Sequence, residues 1–131
     1  MAGRGSRFNK ASHTNPKPLI EVLRHPMIEW VIKNLKTNFK HKFIFVCQRS
    51  HDVDFGLGEI LRTLAPNSEV VLLDHVTDGA AQTVLKAEGV LDPEMPLVIA
   101  NCDQYVSNAD FDRFYELTCQ PKVDGVILTM E

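Results

Sequence analysis

Two glycines near the start of the sequence are spaced as a phosphate-contacting loop requires. Gly3 and Gly5 are separated by one residue, which lets a backbone turn tightly and bring its N–H groups close to a phosphate. Arg7 follows, with a permanently charged guanidinium whose forked donors suit phosphate oxygens. The dinucleotide fingerprint is excluded because Phe8 stands where the third glycine would be, and no Walker A lysine follows. The segment predicts either a phosphate-binding loop or an ordinary glycine turn.

A lysine between two prolines is the second feature that could do chemistry. Pro16 and Pro18 restrict the backbone around Lys17 and predict an extended segment there. An ammonium group held in this way can contact a polyphosphate as a fixed point charge. The alternative is a lysine that is simply exposed between prolines.

An aspartate that follows an apolar run is the third feature. Asp103 comes just after the run Pro-Leu-Val-Ile-Ala at 96–100, which predicts a buried strand. Because strand ends line the ligand crevice of parallel α/β sheets, Asp103 is predicted to lie at the site. A carboxylate in this place is a plausible ligand for Mg²⁺ beside substrate phosphates. A turn-capping or helix-capping aspartate is the competing interpretation.

The elements that must position these residues alternate along the chain. After a loop over 3–18, helical spacing of apolar residues predicts a first helix over 26–35. Short apolar runs predict strands, and Thr77 or Asp78 is suited to cap a helix. The remaining predicted elements are strands over 42–47, 69–73, 96–100 and 126–129, and helices over 55–64, from about 80 onward, and over 108–118. Strands separated by helices predict a layered α/β domain with a mainly parallel sheet.

Four segments together resemble one known family, the sugar-phosphate nucleotidylyltransferases. They are AGRGSRF, PKPLIEV with PMIEWVIKNL behind it, DGAAQTVL, and IANCDQYV, and they occur in the family's order over nearly the whole chain. The resemblance implies a Rossmann-like, three-layer (GT-A-like) nucleotidyltransferase domain. It also implies an activity: Mg²⁺-dependent transfer of a nucleotidyl group from a nucleoside triphosphate to a sugar 1-phosphate. The products would be pyrophosphate and a nucleotide sugar for polysaccharide biosynthesis.

The resemblance also implies roles for the residues of the first segment. Ala2, Gly3, Gly5 and Ser6 match the loop whose backbone wraps the nucleotide and its phosphates. Arg7 matches the arginine that holds the triphosphate and stabilises charge on the departing pyrophosphate.

Four later residues match family positions in the same way. Lys17 matches the lysine that neutralises phosphate charge during the transfer. Gly79 and Gln82 match the segment that contacts the base, and Asp103 matches the aspartate that binds Mg²⁺. Together with Arg7, Lys17 is therefore expected to be catalytic.

The sequence also departs from the family. The strand that precedes the glycine loop and the half that binds the sugar phosphate, with a second metal-binding aspartate, are not in residues 1–131. A glycine-containing turn is replaced by Leu23-Arg24-His25. We therefore expect a single partial domain, truncated at both ends, that holds the nucleotide-binding half and turns over poorly. A non-catalytic nucleotide-binding or regulatory module and a structural interaction domain are the alternatives.

Composition narrows the classes of partner. A net charge of −3, with acidic and basic residues spread along the chain, gives no reason to expect nucleic-acid or membrane binding. Three cysteines without a CxxC spacing predict reduced thiols in a cytoplasmic protein, and five histidines share no metal-ligand spacing. An unfinished sheet edge favours self-association into a homo-oligomer. Neither the base nor the sugar is specified by these residues.

Overall fold

A pair of parallel strands is the centre of the fold in the computed structural model, which describes residues 15–107 and 110–129. Strand β3 (Ile44–Gln48) pairs with strand β4 (Glu69–Leu73), and the register runs from Ile44 opposite Glu69 to Gln48 opposite Leu73. Helices α2 (Arg49–Phe55) and α3 (Leu57–Leu64) make the crossover between them. Both strands were predicted from their apolar runs, and the mixed α/β class with a parallel pair is confirmed.

The hydrophobic core lies between helix α1 (Met27–Leu35), strand β3 and helix α3. Apolar residues of α1 recur at helical spacing, so that Ile28, Val31 and Ile32 face the same side and are buried. Leu57 and Leu61 of α3 are fully buried one helical turn apart. The rest of the buried cluster consists of Phe45, Cys47 and Ala65. This core fixes α1 against the parallel strands.

The crossover contains two helices where the sequence predicted one over 55–64. Gly56 breaks the helix because its φ of 63° is left-handed, a conformation that glycine adopts without steric cost. The N-terminal end of α3 is capped from α2, since the Gly58 N–H donates to Asp52 Oδ1 at 2.7 Å. A Cβ at Gly58 would lie 2.8 Å from that oxygen, so a side chain here would displace the Asp52 carboxylate from its capping position.

A small hairpin joins the region of Lys17 to α1. Strand β1 (Glu21–Val22) pairs antiparallel with strand β2 (His25–Pro26) around a two-residue loop. Leu23 and Arg24 have φ values of 50° and 67°, the positive angles of a type I′ turn. The turn therefore forms without the glycine that such geometry favours.

The two later strands predicted from apolar runs are wrong. Neither 96–100 nor 126–129 forms a strand in the described part of the chain. Leu97 is 52% exposed, Ile99 66% and Ile127 85%, so these segments are not buried either. Apolar residues make a strand only when a neighbouring strand supplies backbone hydrogen bonds, and β3 and β4 form a sheet of two.

The remaining helices agree with the pattern. Helix α4 (Ala80–Leu85) has Gly79 at its N-cap position and no side-chain cap, so the predicted cap at Thr77 or Asp78 is wrong. A short 3₁₀ turn follows at Glu88–Val90. Helix α5 (Phe111–Thr118) begins later than its predicted start at 108, where Asp110 accepts a capping hydrogen bond from the Arg113 N–H at 2.8 Å. Over 15–107 and 110–129, no helix combines the length and the apolar character that crossing a bilayer requires.

Candidate functional site

Two residues singled out from the sequence, Lys17 and Asp103, meet in an ion pair. The Lys17 ammonium donates to Asp103 Oδ2 at 3.1 Å, although the residues are 86 positions apart in the chain. Each side chain keeps 32% of its surface exposed. The pair is therefore reachable from solvent, and a phosphate or a cation could approach either group.

Lys17 begins a 3₁₀ turn, Lys17–Leu19, rather than lying in the extended segment that its flanking prolines predicted. The Leu19 N–H donates to the Pro16 carbonyl at 2.8 Å, and buried Pro18 anchors the turn. Proline's fixed φ suits the start of such a turn, because its missing N–H needs no partner there. The turn holds the lysine backbone rigid.

Asp103 follows a half-buried cysteine. Cys102 packs against the core, and its burial raises the pKa of the thiol. Deeper in the core, burial raises the pKa of Cys47 to about 12. Both thiols are therefore protonated near neutral pH, as expected of reduced cysteines used for packing. Cys102 thus anchors the chain beside Asp103, whose carboxylate accepts from Lys17.

The donor set near Asp103 fits Mg²⁺ only if phosphates complete the coordination. Among the described residues, no group of three or more histidine, cysteine, aspartate or glutamate side chains could hold a metal. Mg²⁺ is commonly bound by one or two carboxylates together with substrate phosphates, and it keeps several waters. A single, partly exposed carboxylate beside an ammonium matches this mode of binding.

Gly79 and Gln82 lie at the start of α4. Gly79 has an extended φ of 177°, and a Cβ there would meet nothing within 4 Å. Gln82 is exposed, and its Oε1 accepts from the Asp78 N–H at 3.2 Å. Thr83 Oγ1 donates to the Gly79 carbonyl at 3.1 Å and steadies the turn. The side-chain hydrogen bonds described for this segment join its own residues to one another.

The structure does not describe the predicted phosphate loop. Its five residues, Ala2, Gly3, Gly5, Ser6 and Arg7, lie outside the residues that the structure describes. Their roles stay predictions from the sequence.

Asn34 is a contact residue that the sequence reasoning missed. Its side-chain amide makes two hydrogen bonds with the backbone of Val106: the Val106 N–H donates to Asn34 Oδ1 at 2.9 Å, and Asn34 Nδ2 donates to the Val106 carbonyl at 3.0 Å. A signal existed in the sequence, because Asn34 follows Met27 and Val31 at helical spacing on a largely apolar face. A polar residue at a helix position where the spacing predicts an apolar one indicates a specific hydrogen-bond partner.

Comparison with known families gives one match, and it spans almost the entire chain. The family model described as nucleotidyl transferase matches residues 1–130. Neither the curated proteins nor the solved structures contain a match to the chain. The family match includes the segment of Lys17 and that of Asp103, which the fold brings together. The chain belongs to the nucleotidyl transferase family.

Proposed function

We propose that this chain binds a nucleoside triphosphate for transfer of its nucleotidyl group to a sugar 1-phosphate. Nucleotidyl transfer follows from the family, and the four ordered segments that resemble sugar-phosphate nucleotidylyltransferases support the acceptor. The observation that carries the proposal is the ion pair of Lys17 with Asp103 at 3.1 Å. It brings together a cation suited to phosphate and a carboxylate suited to Mg²⁺.

The reaction would be a single displacement at the α-phosphorus. An oxygen of the sugar phosphate forms the new P–O bond, and the bond to the β-phosphate oxygen breaks as pyrophosphate leaves with the electron pair. No covalent enzyme intermediate is needed, so positioning and charge stabilisation supply most of the rate. In this proposal, Ala2, Gly3, Gly5 and Ser6 form the backbone cradle, and Arg7 stabilises the departing pyrophosphate.

The ion pair of Lys17 with Asp103 would open once the triphosphate is bound. The Lys17 ammonium would transfer its contact from the carboxylate to a phosphate oxygen, where it neutralises charge as the bond breaks. Asp103 would hold Mg²⁺, which supplies neutralisation of the negative charge on the phosphates. The segment with Gly79 and Gln82 would contact the base. We further infer that residues 1–131 form the nucleotide-binding half of the domain, so binding is the informative measurement.

Calorimetric titration with a panel of nucleoside triphosphates, with and without Mg²⁺, tests the proposal. We expect one triphosphate to bind, and binding to strengthen with Mg²⁺. Asp103→Ala should abolish the gain from Mg²⁺. Lys17→Ala should weaken binding under both conditions by about 10-fold or more, because a charge-assisted phosphate contact is lost.

The chain offers a matched control for these variants. Lys42 and Glu69 form another exposed ion pair with the same 3.1 Å separation, beside the N-terminal ends of strands β3 and β4. Glu69→Ala should leave triphosphate binding unchanged. Absence of binding to every triphosphate by folded chain, or a full Mg²⁺ gain in Asp103→Ala, would contradict the proposal.

A further inference from the structure

The side chain of Asn34 substitutes for a strand in holding the segment after Asp103. Its carboxamide has one oxygen that accepts from the Val106 N–H at 2.9 Å and one nitrogen that donates to the Val106 carbonyl at 3.0 Å. A paired strand would satisfy the same two backbone groups. One residue of α1 thus satisfies both the N–H and the carbonyl of Val106, which lies in a segment without regular secondary structure.

Trp30, one helical turn before Asn34, contacts both chain segments of the candidate site. Its ring packs edge to face on Tyr105 with the centroids 6.5 Å apart. Its indole N–H donates to the Val22 carbonyl at 2.8 Å, in the hairpin that follows Lys17. Helix α1 therefore contacts the segment of Lys17 and that of Asp103 at the same time.

The helix that makes these contacts is itself fixed. Ile28, Val31 and Ile32 anchor it in the hydrophobic core. By contrast, the residues from Asp103 to Tyr105 are exposed, with Tyr105 at 59%. An exposed segment with few apolar contacts opens easily unless hydrogen bonds hold it. Asn34 supplies two such bonds from a rigid support, three residues beyond the aspartate.

We propose that Asn34 is a positioning residue for the nucleotide–Mg²⁺ site, which it maintains by holding Asp103 in place through Val106. The inference rests on the proposed function, since it assigns Asp103 a role in binding Mg²⁺. Residues that orient a ligand carboxylate without touching the metal commonly matter to affinity almost as much as the ligand. Loss of the Asn34 amide should therefore weaken Mg²⁺-dependent binding and leave Mg²⁺-independent binding of the nucleotide intact.

Two variants at Asn34 and one control separate positioning from general stability. Asn34→Ala removes both hydrogen bonds. Asn34→Asp keeps the size of the side chain and the acceptor for the Val106 N–H, but it places a second acceptor against the Val106 carbonyl. Asn38→Ala is the matched control, because Asn38 donates instead to Asp112 Oδ2 at 3.3 Å.

The measurements are triphosphate affinity with and without Mg²⁺, and amide hydrogen exchange at Asp103–Val106, on folded protein. For both Asn34 variants we expect the gain from Mg²⁺ to fall by about 10-fold or more, with affinity in its absence changed less than about twofold. Exchange at the Val106 amide should accelerate in Asn34→Ala. Asn38→Ala should match the unmodified chain in both measurements.

The outcomes separate the two proposals. If Asp103→Ala loses the gain from Mg²⁺ while both Asn34 variants keep it, Asn34 is not a positioning residue and the proposed function stands. Unchanged exchange at Val106 in Asn34→Ala overturns the inference in the same way. If the unmodified chain shows no gain from Mg²⁺, both proposals fail. Should Asn34→Ala not fold, Asn34→Asp carries the test, because it retains the shape of the side chain.

Discussion

At the scale of residues, the ion pair of Lys17 with Asp103 can open at little cost to the stability of the fold. Both side chains are about one-third exposed, so water screens their attraction and ordering them costs side-chain entropy. Exposed pairs of this kind contribute little to folding. Lys17 can therefore leave Asp103 for a phosphate, and Asp103 can leave Lys17 for a cation, at a small cost in free energy.

Removing either partner should consequently leave the fold almost unchanged. We expect Lys17→Met and Asp103→Asn each to lower the free energy of unfolding by less than about 1 kcal/mol, as measured by urea denaturation. Lys42→Met, which breaks the exposed pair with Glu69, provides the comparison and should have an effect of similar size. A loss above about 3 kcal/mol at Lys17 or Asp103 would mean that the pair behaves as a buried one.

At the scale of elements, the hairpin turn between β1 and β2 carries backbone strain. Leu23 and Arg24 both adopt positive φ, where the Cβ of an ordinary residue is crowded by the following carbonyl. Leu23 is 80% exposed, so its side chain gains little from burial in return. Asparagine followed by glycine is the pair that a type I′ turn favours.

Replacing the turn should stabilise the protein. The double substitution Leu23→Asn with Arg24→Gly should raise the free energy of unfolding by about 1 kcal/mol, because relief of strain at two residues outweighs the added freedom of glycine in the unfolded chain. Thermal or urea denaturation measures the change. Leu23→Ala with Arg24→Ala keeps the strain and should give no gain. Equal stabilisation by both pairs would indicate a cause other than backbone conformation.

Elements with an apolar face were predictable, and the others were not. Helices α1 and α3 were predicted because their apolar residues recur at helical spacing. Strands β3 and β4 were predicted because each is a short continuous apolar run. Helix α2 has no buried residue and exposes 77% of Val53, so no periodic pattern marks it. The segment 96–100 has a strand's composition but depends on a partner strand, which its own residues do not reveal.

Both residues of the Lys17–Asp103 ion pair could be named from the sequence, while their roles in binding stay predictions. Lys17 and Asp103 could be named because a lysine between prolines and an aspartate after an apolar run suit phosphate and Mg²⁺. The position of Asn34 on α1 indicates a partner but not which one, since Val106 lies 72 positions away and is contacted through its backbone. Backbone groups are alike in every residue, so the sequence does not mark Val106 as that partner.

At the scale of the whole molecule, two apolar segments lie open to solvent. Leu97, Ile99 and Ile127 keep half or more of their surface exposed. Exposed apolar side chains in neighbouring positions favour association with another chain. The homo-oligomer stays a prediction, and we expect its contacts to include these segments.

Sedimentation velocity over a range of concentrations tests this expectation. The unmodified chain should show an average mass that rises with concentration. Ile99→Lys and Ile127→Lys should each raise the dissociation constant of the oligomer by about 10-fold, because an apolar side chain no longer leaves water on association. Val53→Lys is the control, since Val53 is an isolated exposed residue on α2. Association that is unaffected by both isoleucine substitutions would place the interface elsewhere.

The long sequence separation of the candidate site's contacts would tie the proposed nucleotide binding to the completion of folding. Lys17 and Asp103 are 86 positions apart, and Asn34 and Val106 are 72 apart. Closing loops of this length costs entropy that no local contact returns, so these pairs can form only late in folding. A ligand that contacts both Lys17 and Asp103 would bind only the folded chain, and at 100 times its Kd it would add about 2.7 kcal/mol to the apparent stability. The nucleotide would then stabilise the folded domain as a chemical chaperone, in addition to being the substrate of its reaction.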